Sequence, residues 1–266
     1  MTVETQARLR FLDEYRRVRY AEGRGSDDSG YYRELPYNDI TGQNSAMWEM
    51  RARTYRYFEN YILPSYEHRC RRPLDILDLG AGNGWMSYRL SLRGHNVCAL
   101  DIFRDARDGL GAAHHYGIEF PLVEAEFDSL PFAKGAFDLA IYNCSFHYST
   151  DYFRTLKQVR GCLRNSGAVV ILDSPIYKKR EHGEQMVAER HAEFLRRYGF
   201  ASDAIPSIGF LDQSMLDILS AALEMRWTIY RPWYGWQWHI RPFKARLQGR
   251  RPPSRFWIFV GVFEHR

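Results

Sequence analysis

The chain has only four cysteines, Cys70, Cys98, Cys144 and Cys162, and none of them forms a CxxC pair. Such scatter gives neither a disulfide framework nor a zinc ligand set, so no metal is expected. Long apolar runs are missing as well: none approaches the roughly 18 to 20 residues that span a bilayer. The first 25 residues are studded with charge and lack the apolar stretch of a secretory signal, which makes the cytoplasm the expected location. No internal repeat or low-complexity tract is visible. What remains suits one sizeable α/β domain: 266 residues, 45% hydrophobic and 26% charged, enough to bury a core. The net charge of +5 is modest but uneven. From His239 onward come Arg241, Lys244, Arg246, Arg250, Arg251, Arg255 and Arg266 against Glu264 alone, either a solvated loop or an anion-binding surface.

Periodicity divides the chain by texture. Phe11, Tyr15 and Val18 fall at helical spacing, and Gly23–Tyr37 is loop-like. A helix is predicted from Ser45 to Ile62, with Trp48, Tyr55, Phe58 and Ile62 on one face and Pro64 as its end. From Pro73 strands and helices alternate. The predicted strands are Leu74–Leu79, Asn96–Ile102, Phe137–Asn143 and Ala168–Asp173; the predicted helices are Trp85–Leu92, Arg104–His115 and Tyr152–Leu163. That rhythm implies a doubly wound, mostly parallel sheet. A further helix carries Val187, His191, Phe194, Leu195 and Tyr198 and stops at Gly199. Another, Ser214–Glu224, leads to strands at Arg226–Arg231 and Arg255–Phe263.

The segment LDILDLGAGNGW sets Gly80, Gly82 and Gly84 between a strand and a helix. Glycine there permits positive φ and lets main chain approach a ligand with no Cβ in the way. The G-x-G-x-G spacing is not that of a dinucleotide turn, whose third glycine would stand where Trp85 does, and Gly-Lys-Ser/Thr is absent. Asp101 closes the next strand, 17 positions after Gly84. A carboxylate at that strand end can accept both hydroxyls of a ribose lying across the switch point.

These features bring a resemblance into focus. Residues 74–175 resemble the class I, Rossmann-like S-adenosylmethionine-dependent methyltransferases, particularly the quinone and small-molecule subgroup. DLGAGNG, beginning at Asp78, is similar to that family's first motif. AEFDSLPF is similar to the segment whose acidic residue and next amide meet the adenine, here Glu126 and Phe127, where the family more often has Asp-Ala. FDLAIYNCSFHY is similar to the fourth strand and its exit, where backbone near Asn143 and Cys144 would meet the methionine amino group. CLRNSGAVVILDSP is similar to the helix-to-strand passage usually written Leu-Lys-Pro-Gly-Gly, from which Asn165-Ser166-Gly167 departs while keeping the final glycine. The resemblance implies a seven-stranded sheet and S-adenosylmethionine as cofactor, with Ile102 beside Asp101 and Trp85 beside the turn. It implies one domain in four parts: a helical cap at 1–72, a cofactor core at 73–175, a helical lid at 176–223 and closing strands at 224–266.

Methyl transfer from a sulfonium needs a nucleophile held in line, and a general base only for a weak one. His147, just past the fourth strand, can be such a base or merely pack; Asp173 and Tyr177, at and beyond the fifth strand, are rim candidates. Tyr37, Trp48, Arg51 and Tyr55 are candidates to close over the cofactor. The run RPWYGWQWHIRP can form an aromatic, cationic wall for a flat or lipophilic anion, stack nucleobases, or be a strand pair burying its rings. The leading expectation is a methyltransferase for a small-molecule or lipid-linked acceptor. An RNA-modifying enzyme using the basic carboxyl-terminal region and an inactive cofactor-binding interaction module stand behind it. Enzymes acting on the exocyclic amines of bases resemble one another in an Asn/Asp-Pro-Pro-aromatic run after the fourth strand, where this chain has Asn143-Cys144-Ser145-Phe146, and no appended RNA-binding domain is apparent, so nucleic acid is disfavoured as a partner. Oligomeric state is not legible.

Overall fold

The computed structural model describes residues 3–264, so Arg266 lies outside the described residues. Five strands, β1 (Asp75–Leu79), β2 (Asn96–Asp101), β3 (Leu122–Glu124), β4 (Phe137–Asn143) and β5 (Leu163–Leu172), run parallel; β9 (Ile258–Phe263) is antiparallel to β5 and to β8 (Met225–Tyr230). The order is β3-β2-β1-β4-β5-β9-β8. A two-stranded parallel pair, β6 (Ile176–Tyr177) and β7 (Leu211–Asp212), stands apart.

The central strands are buried on both faces, which is why they read as apolar runs. Alternate residues still go to opposite sides. Ile76, Leu139 and Ile141 meet one core with Trp48, Tyr55, Phe58 and Trp85; Leu77, Leu79, Ala140 and Tyr142 meet another with Leu156, Val159, Leu216 and Leu219. Helix α6 (Tyr152–Cys162) shows how a covering helix is specified. Asp151 caps it by accepting from Arg154 N at 3.0 Å, and Leu156 and Val159 are wholly buried, each worth roughly 1.5–3 kcal/mol. β1, β4 and β5 are pinned at their amino ends by Asp138. Its buried carboxylate takes Arg72 at 2.8 and 2.9 Å, Asp75 N at 2.9 Å and an ion pair with Arg164 at 3.0 Å. Burial works to raise its pKa, yet these partners hold it below the ordinary carboxylate value.

Several expectations are corrected. Pro64 does not end the long helix: α3 (Ser45–Tyr57) passes through a π-turn at Phe58–Ile62 into α4 (Leu63–Cys70), and Pro64 sits in the first turn of α4. A proline there forfeits no intrahelical bond, which reconciles it with the continuing path. The helix predicted over Arg104–His115 is only a 3₁₀ stretch, Leu110–Tyr116. Upstream, Asp105 Oδ1 turns the chain by accepting from Arg107 N and Asp108 N, and a Cβ at Gly109 would lie 2.4 Å from Phe103 O. Asn165-Ser166-Gly167 are already strand, since β5 begins at Leu163. The aromatic run, for which a strand pair is one of three alternatives, forms two short helices, α9 (Trp236–His239) and α10 (Arg241–Leu247), entered through Gly235 at φ 94° with Pro242 in the first turn of α10. Helix α7 (Arg180–Tyr198) does end at Gly199, in the left-handed region at φ 81°. Leu195 leaves its expected face and is largely exposed.

Candidate functional site

The sheet order reverses between β1 and β4, and the crevice outside their carboxyl ends is where such folds bind ligands. A chamber of about 110 Å³ opens there, lined by Asp78, Gly80, Gly82, Trp85, Asp101, Ile102, Phe127, Asn143 and Cys144. Beside it lies a second space of about 330 Å³, sharing Asp101, Ile102 and Phe127 and adding Glu126. The structure thus brings together residues from four separate strand exits. Gly84 lies just behind, as the N-cap of α5 (Trp85–Leu92) at φ 78°.

The glycine turn is held by main-chain bonds from Gly80 N and Ala81 N to Leu100 O, at 2.8 and 3.0 Å. Its glycines serve different ends. A Cβ at Gly80 would fall 2.4 Å from Ser145 Cβ, so that position is closed by protein packing. At Gly82, with φ 55°, the nearest atom to a Cβ is Asp108 O at 4.0 Å. That bare face is the one open to a ligand. Trp85 belongs both to the chamber wall and to the core, its ring edge-on to Trp48 and Tyr55 at 6.1 and 5.4 Å.

Asp101 does more than face the chamber. Its two oxygens accept from Gly82 N at 2.8 Å and Phe103 N at 2.9 Å, so it ties the turn to its own strand exit. Each oxygen keeps a further lone-pair direction for a ligand hydroxyl. Burial raises its pKa, with the backbone donors opposing. Asp78 is buried under the turn; Ser87 Oγ donates to its Oδ2 at 2.6 Å, while Oδ1 is buried without a partner. Burial lifts its pKa to about 7. An orphaned carboxylate oxygen, a bare glycine face and a strand-end aspartate fit the cationic amino acid and ribose halves of S-adenosylmethionine.

The rim candidates fare differently. His147 does not line either space. It is buried behind them, its Nδ1 3.3 Å from Ser174 Oγ, and desolvation drives its pKa to about 3. Asp173 is likewise behind the wall. It accepts from Thr54 Oγ1 at 2.7 Å, Thr54 in turn meets Tyr234 OH at 2.9 Å, and burial raises the Asp173 pKa to about 6. Tyr177, in β6, receives Arg251 Nη1 at 3.0 Å on its hydroxyl, away from the chamber. Cys144 and Asp173 both take positive φ, 56° and 50°, at the exits of β4 and β5. Non-glycine residues so placed store about 1 kcal/mol or more each, a cost that clusters at functional sites.

The covering helix is α1 (Val3–Ala21), within the expected cap, and its lining residues are ones the sequence does not single out as site residues. Phe11, Tyr15 and Arg19 line the chamber, with Tyr15 edge-on to Phe103 and Tyr148 at 5.2 and 6.1 Å. Arg19 is paired with the buried Asp108, and Arg8 reaches Glu126 at 3.4 Å. The signal was the apolar spacing Phe11, Tyr15 and Val18, which marks a packed face without saying what it packs on. Of the residues expected to close the site, Arg51 lines the chamber, whereas Tyr37, Trp48 and Tyr55 do not. Arg51 Nη2 donates to Cys144 Sγ at 3.2 Å, and its Nε is buried without a partner. Burial opposes its charge, yet Cys144 and Asp173 more than offset this and its pKa is raised.

Comparison with known proteins agrees with this geometry. Residues 77–171 match the family model described as Methyltransferase domain. Residues 77–171 are thus a methyltransferase domain of the S-adenosylmethionine-dependent, class I kind. The domain is similar, at 30% identity, to a malonyl-[acyl-carrier protein] O-methyltransferase of Pseudescherichia vulneris, over 48% of this chain and 49% of that protein. A Legionella pneumophila protein of the same name is 34% identical over 34% of this chain and 35% of its own length. The chain therefore spans half or less of these curated relatives. In fold it is similar to the PH0226 protein of Pyrococcus horikoshii, with a TM-score of 0.51 and 16% identity, covering 89% of this chain and 99% of that one.

Proposed function

We propose that the protein transfers a methyl group from S-adenosylmethionine to an anionic small-molecule or acyl-linked acceptor, a carboxylate above all. The observation that carries the reading is Arg51. Its guanidinium lines the chamber beside the glycine turn, its Nε has no partner, and its one hydrogen bond among those described goes to a thiol. Arg19, the other cation of the chamber, already has Asp108. Asp173 and the Trp48 ring, 4.9 Å away, offset part of its desolvation, but no carboxylate among the described residues meets the guanidinium directly, and a ligand anion would complete it. That the similar proteins above are named for a carboxylate-bearing acyl substrate supports the same class.

Bound S-adenosylmethionine supplies the electrophilic methyl. The protein's part is to bind and orient: Asp101 and Gly82 hold the nucleoside side, Phe127 and Ile102 wall it, and α1 with Tyr15 and Phe11 keeps water out. Arg51 fixes the acceptor anion. The test is Arg51→Gln assayed with labelled cofactor against a malonyl thioester and a set of acyl carboxylates. KM for the acceptor should rise by about tenfold or more, with the affinity for S-adenosylhomocysteine unchanged. If Arg51→Gln instead weakens cofactor binding, the guanidinium serves the cofactor's own carboxylate and the anionic-acceptor reading loses its support.

A further inference from the structure

From Trp236 to Leu247 the chain is in effect one helix. Ile240 N donates to Trp236 O at 3.1 Å and Lys244 N to Ile240 O at 3.0 Å, joining α9 to α10. Its apolar positions, Trp236, Ile240, Phe243 and Leu247, follow helical spacing and make a single stripe. The stripe points the wrong way for a globular helix. These four side chains are 76%, 40%, 65% and 72% exposed, whereas Trp238, Arg241 and Ala245 face inward. Inside, Trp238 packs on Tyr234 and Phe256, with Arg241 stacked 3.6 Å above its ring. The helix is therefore anchored by one face while the opposite, apolar face is left to solvent. Trp233 extends the exposed patch at 52%.

Charge says what the patch fits. Between Glu224 and Glu264 there is no acidic residue, against Arg226, Arg231, Arg241, Lys244, Arg246, Arg250, Arg251 and Arg255. Lys244, Arg246 and Arg250 flank the stripe, are exposed, and form no ion pair among the described residues. An outward stripe of Trp, Ile, Phe and Leu edged by free cations is the composition of a helix that lies in a membrane interface. We propose that α9–α10 docks the protein on anionic lipid bilayers as a peripheral surface, with the Trp236–Leu247 stripe in the headgroup region. No helix among the described residues is long and apolar enough to cross a membrane, so docking would be in-plane.

The position in the fold gives this a purpose. β8 runs parallel to β5, so the connection that carries α9–α10 leaves the sheet at the same end as the chamber. Tyr234 touches α3, the helix of Arg51, through Thr54 Oγ1 at 2.9 Å. A docked enzyme would hold its acceptor entrance near the lipid surface; this purpose rests on the proposed function, whereas the docking itself does not.

The test is co-sedimentation of the full chain with vesicles of phosphatidylcholine alone and with about one quarter phosphatidylglycerol. Binding to the anionic vesicles and not to the neutral ones is expected, weakened by salt. Lys244→Gln/Arg246→Gln should lower partitioning roughly 25-fold, at about fivefold per cation. Trp236→Ser/Phe243→Ser should abolish it, with S-adenosylhomocysteine affinity intact in both as the check on folding. Absence of vesicle binding, or binding indifferent to both variants, overturns the proposal. So does a concentration-dependent dimer that Trp236→Ser/Phe243→Ser dissolves, or binding to an acidic carrier protein without binding to vesicles. Vesicle binding in a protein that fails to bind S-adenosylhomocysteine would sink the methyl-transfer reading and leave docking standing.

Discussion

Asp101→Ala separates what holds the turn from what the turn holds. In the structure the carboxylate accepts from Gly82 N at 2.8 Å and Phe103 N at 2.9 Å. A hydrogen bond to a charged group is worth about 1.5–3 kcal/mol, and water can replace part of it at this half-open position. The free protein should then lose about 2–4 kcal/mol, seen as a melting point lower by roughly 5–15 °C. Binding carries a separate charge-assisted contribution. Two ribose hydroxyls donating to the remaining lone pairs amount to about 3–6 kcal/mol, or roughly 10²- to 10⁴-fold in affinity. Calorimetry with S-adenosylhomocysteine well below the lowered melting point measures the second effect free of the first. Asp101→Asn is the control, because its amide oxygen still serves one backbone donor and should recover stability more than affinity. A folded Asp101→Ala variant that bound S-adenosylhomocysteine as the wild type does would falsify the assigned sugar contact.

Three other outcomes are expected. Gly82→Val forces a branched residue to φ 55° and sends its side chain into the open face of the turn, so cofactor affinity should fall more than a hundredfold, while backbone strain of about 1–2 kcal/mol lowers melting by only a few degrees; retained affinity in the folded variant would show that this face does not meet the ligand. Burial raises Asp78 from 3.8 to about 7, so its contribution to stability is fully present below pH 3.8 and is lost as pH rises through 7. Melting of the free protein should decline from about pH 4 to 7 and level off above it, while S-adenosylmethionine affinity climbs through pH 7, since the ionised carboxylate suits a cationic ligand, and Asp78→Asn should flatten both profiles. His147→Gln should leave the pH dependence of turnover between 6 and 8 in place, because a histidine held near 3 is neutral throughout; loss of a basic limb in that variant would restore His147 as a base.

Sequence reading reached furthest where a local rule had one physical solution. The glycines of DLGAGNG do take positive φ, at 71°, 55° and 78°, because no other residue makes that bend cheaply. Strands β1 and β4 were legible because a strand covered on both faces must be continuously apolar, and β4 was placed to the residue. The failures share a different cause. Pro64 looks like a stop in sequence, but a π-turn upstream re-phases the chain so that it becomes a start. His147 looks like a base because it stands beside the right strand; one turn of 3₁₀ helix at Phe146–Tyr148 puts its ring behind the wall and presents Tyr148 instead. The pairing of Arg19 with Asp108 joins residues 89 apart, and no spacing announces it.

Taken together, the charges of the chamber limit the chemistry it can perform. Asp101 is committed to two backbone donors and Arg19 to Asp108. Tyr15 and Tyr148 are pushed above the ordinary tyrosine value by burial, so neither takes up a proton near neutrality. Asp78, raised to about 7, lies under the glycine turn with the cofactor's half of the chamber; apart from it, no described residue lining the chamber is tuned to deprotonate a weak nucleophile, which favours an acceptor that arrives already ionised. Arg51 then has a double effect. At an effective dielectric near 20, opposite charges about 4 Å apart attract by roughly 4 kcal/mol, and that attraction fades as methylation neutralises the anion. A guanidinium seated on the attacking oxygen would thus strengthen binding at the expense of rate; seated on the second oxygen of a carboxylate, it orients without quenching. The two placements differ in kinetics, because Arg51→Gln raises both KM and kcat in the first case and raises KM alone in the second.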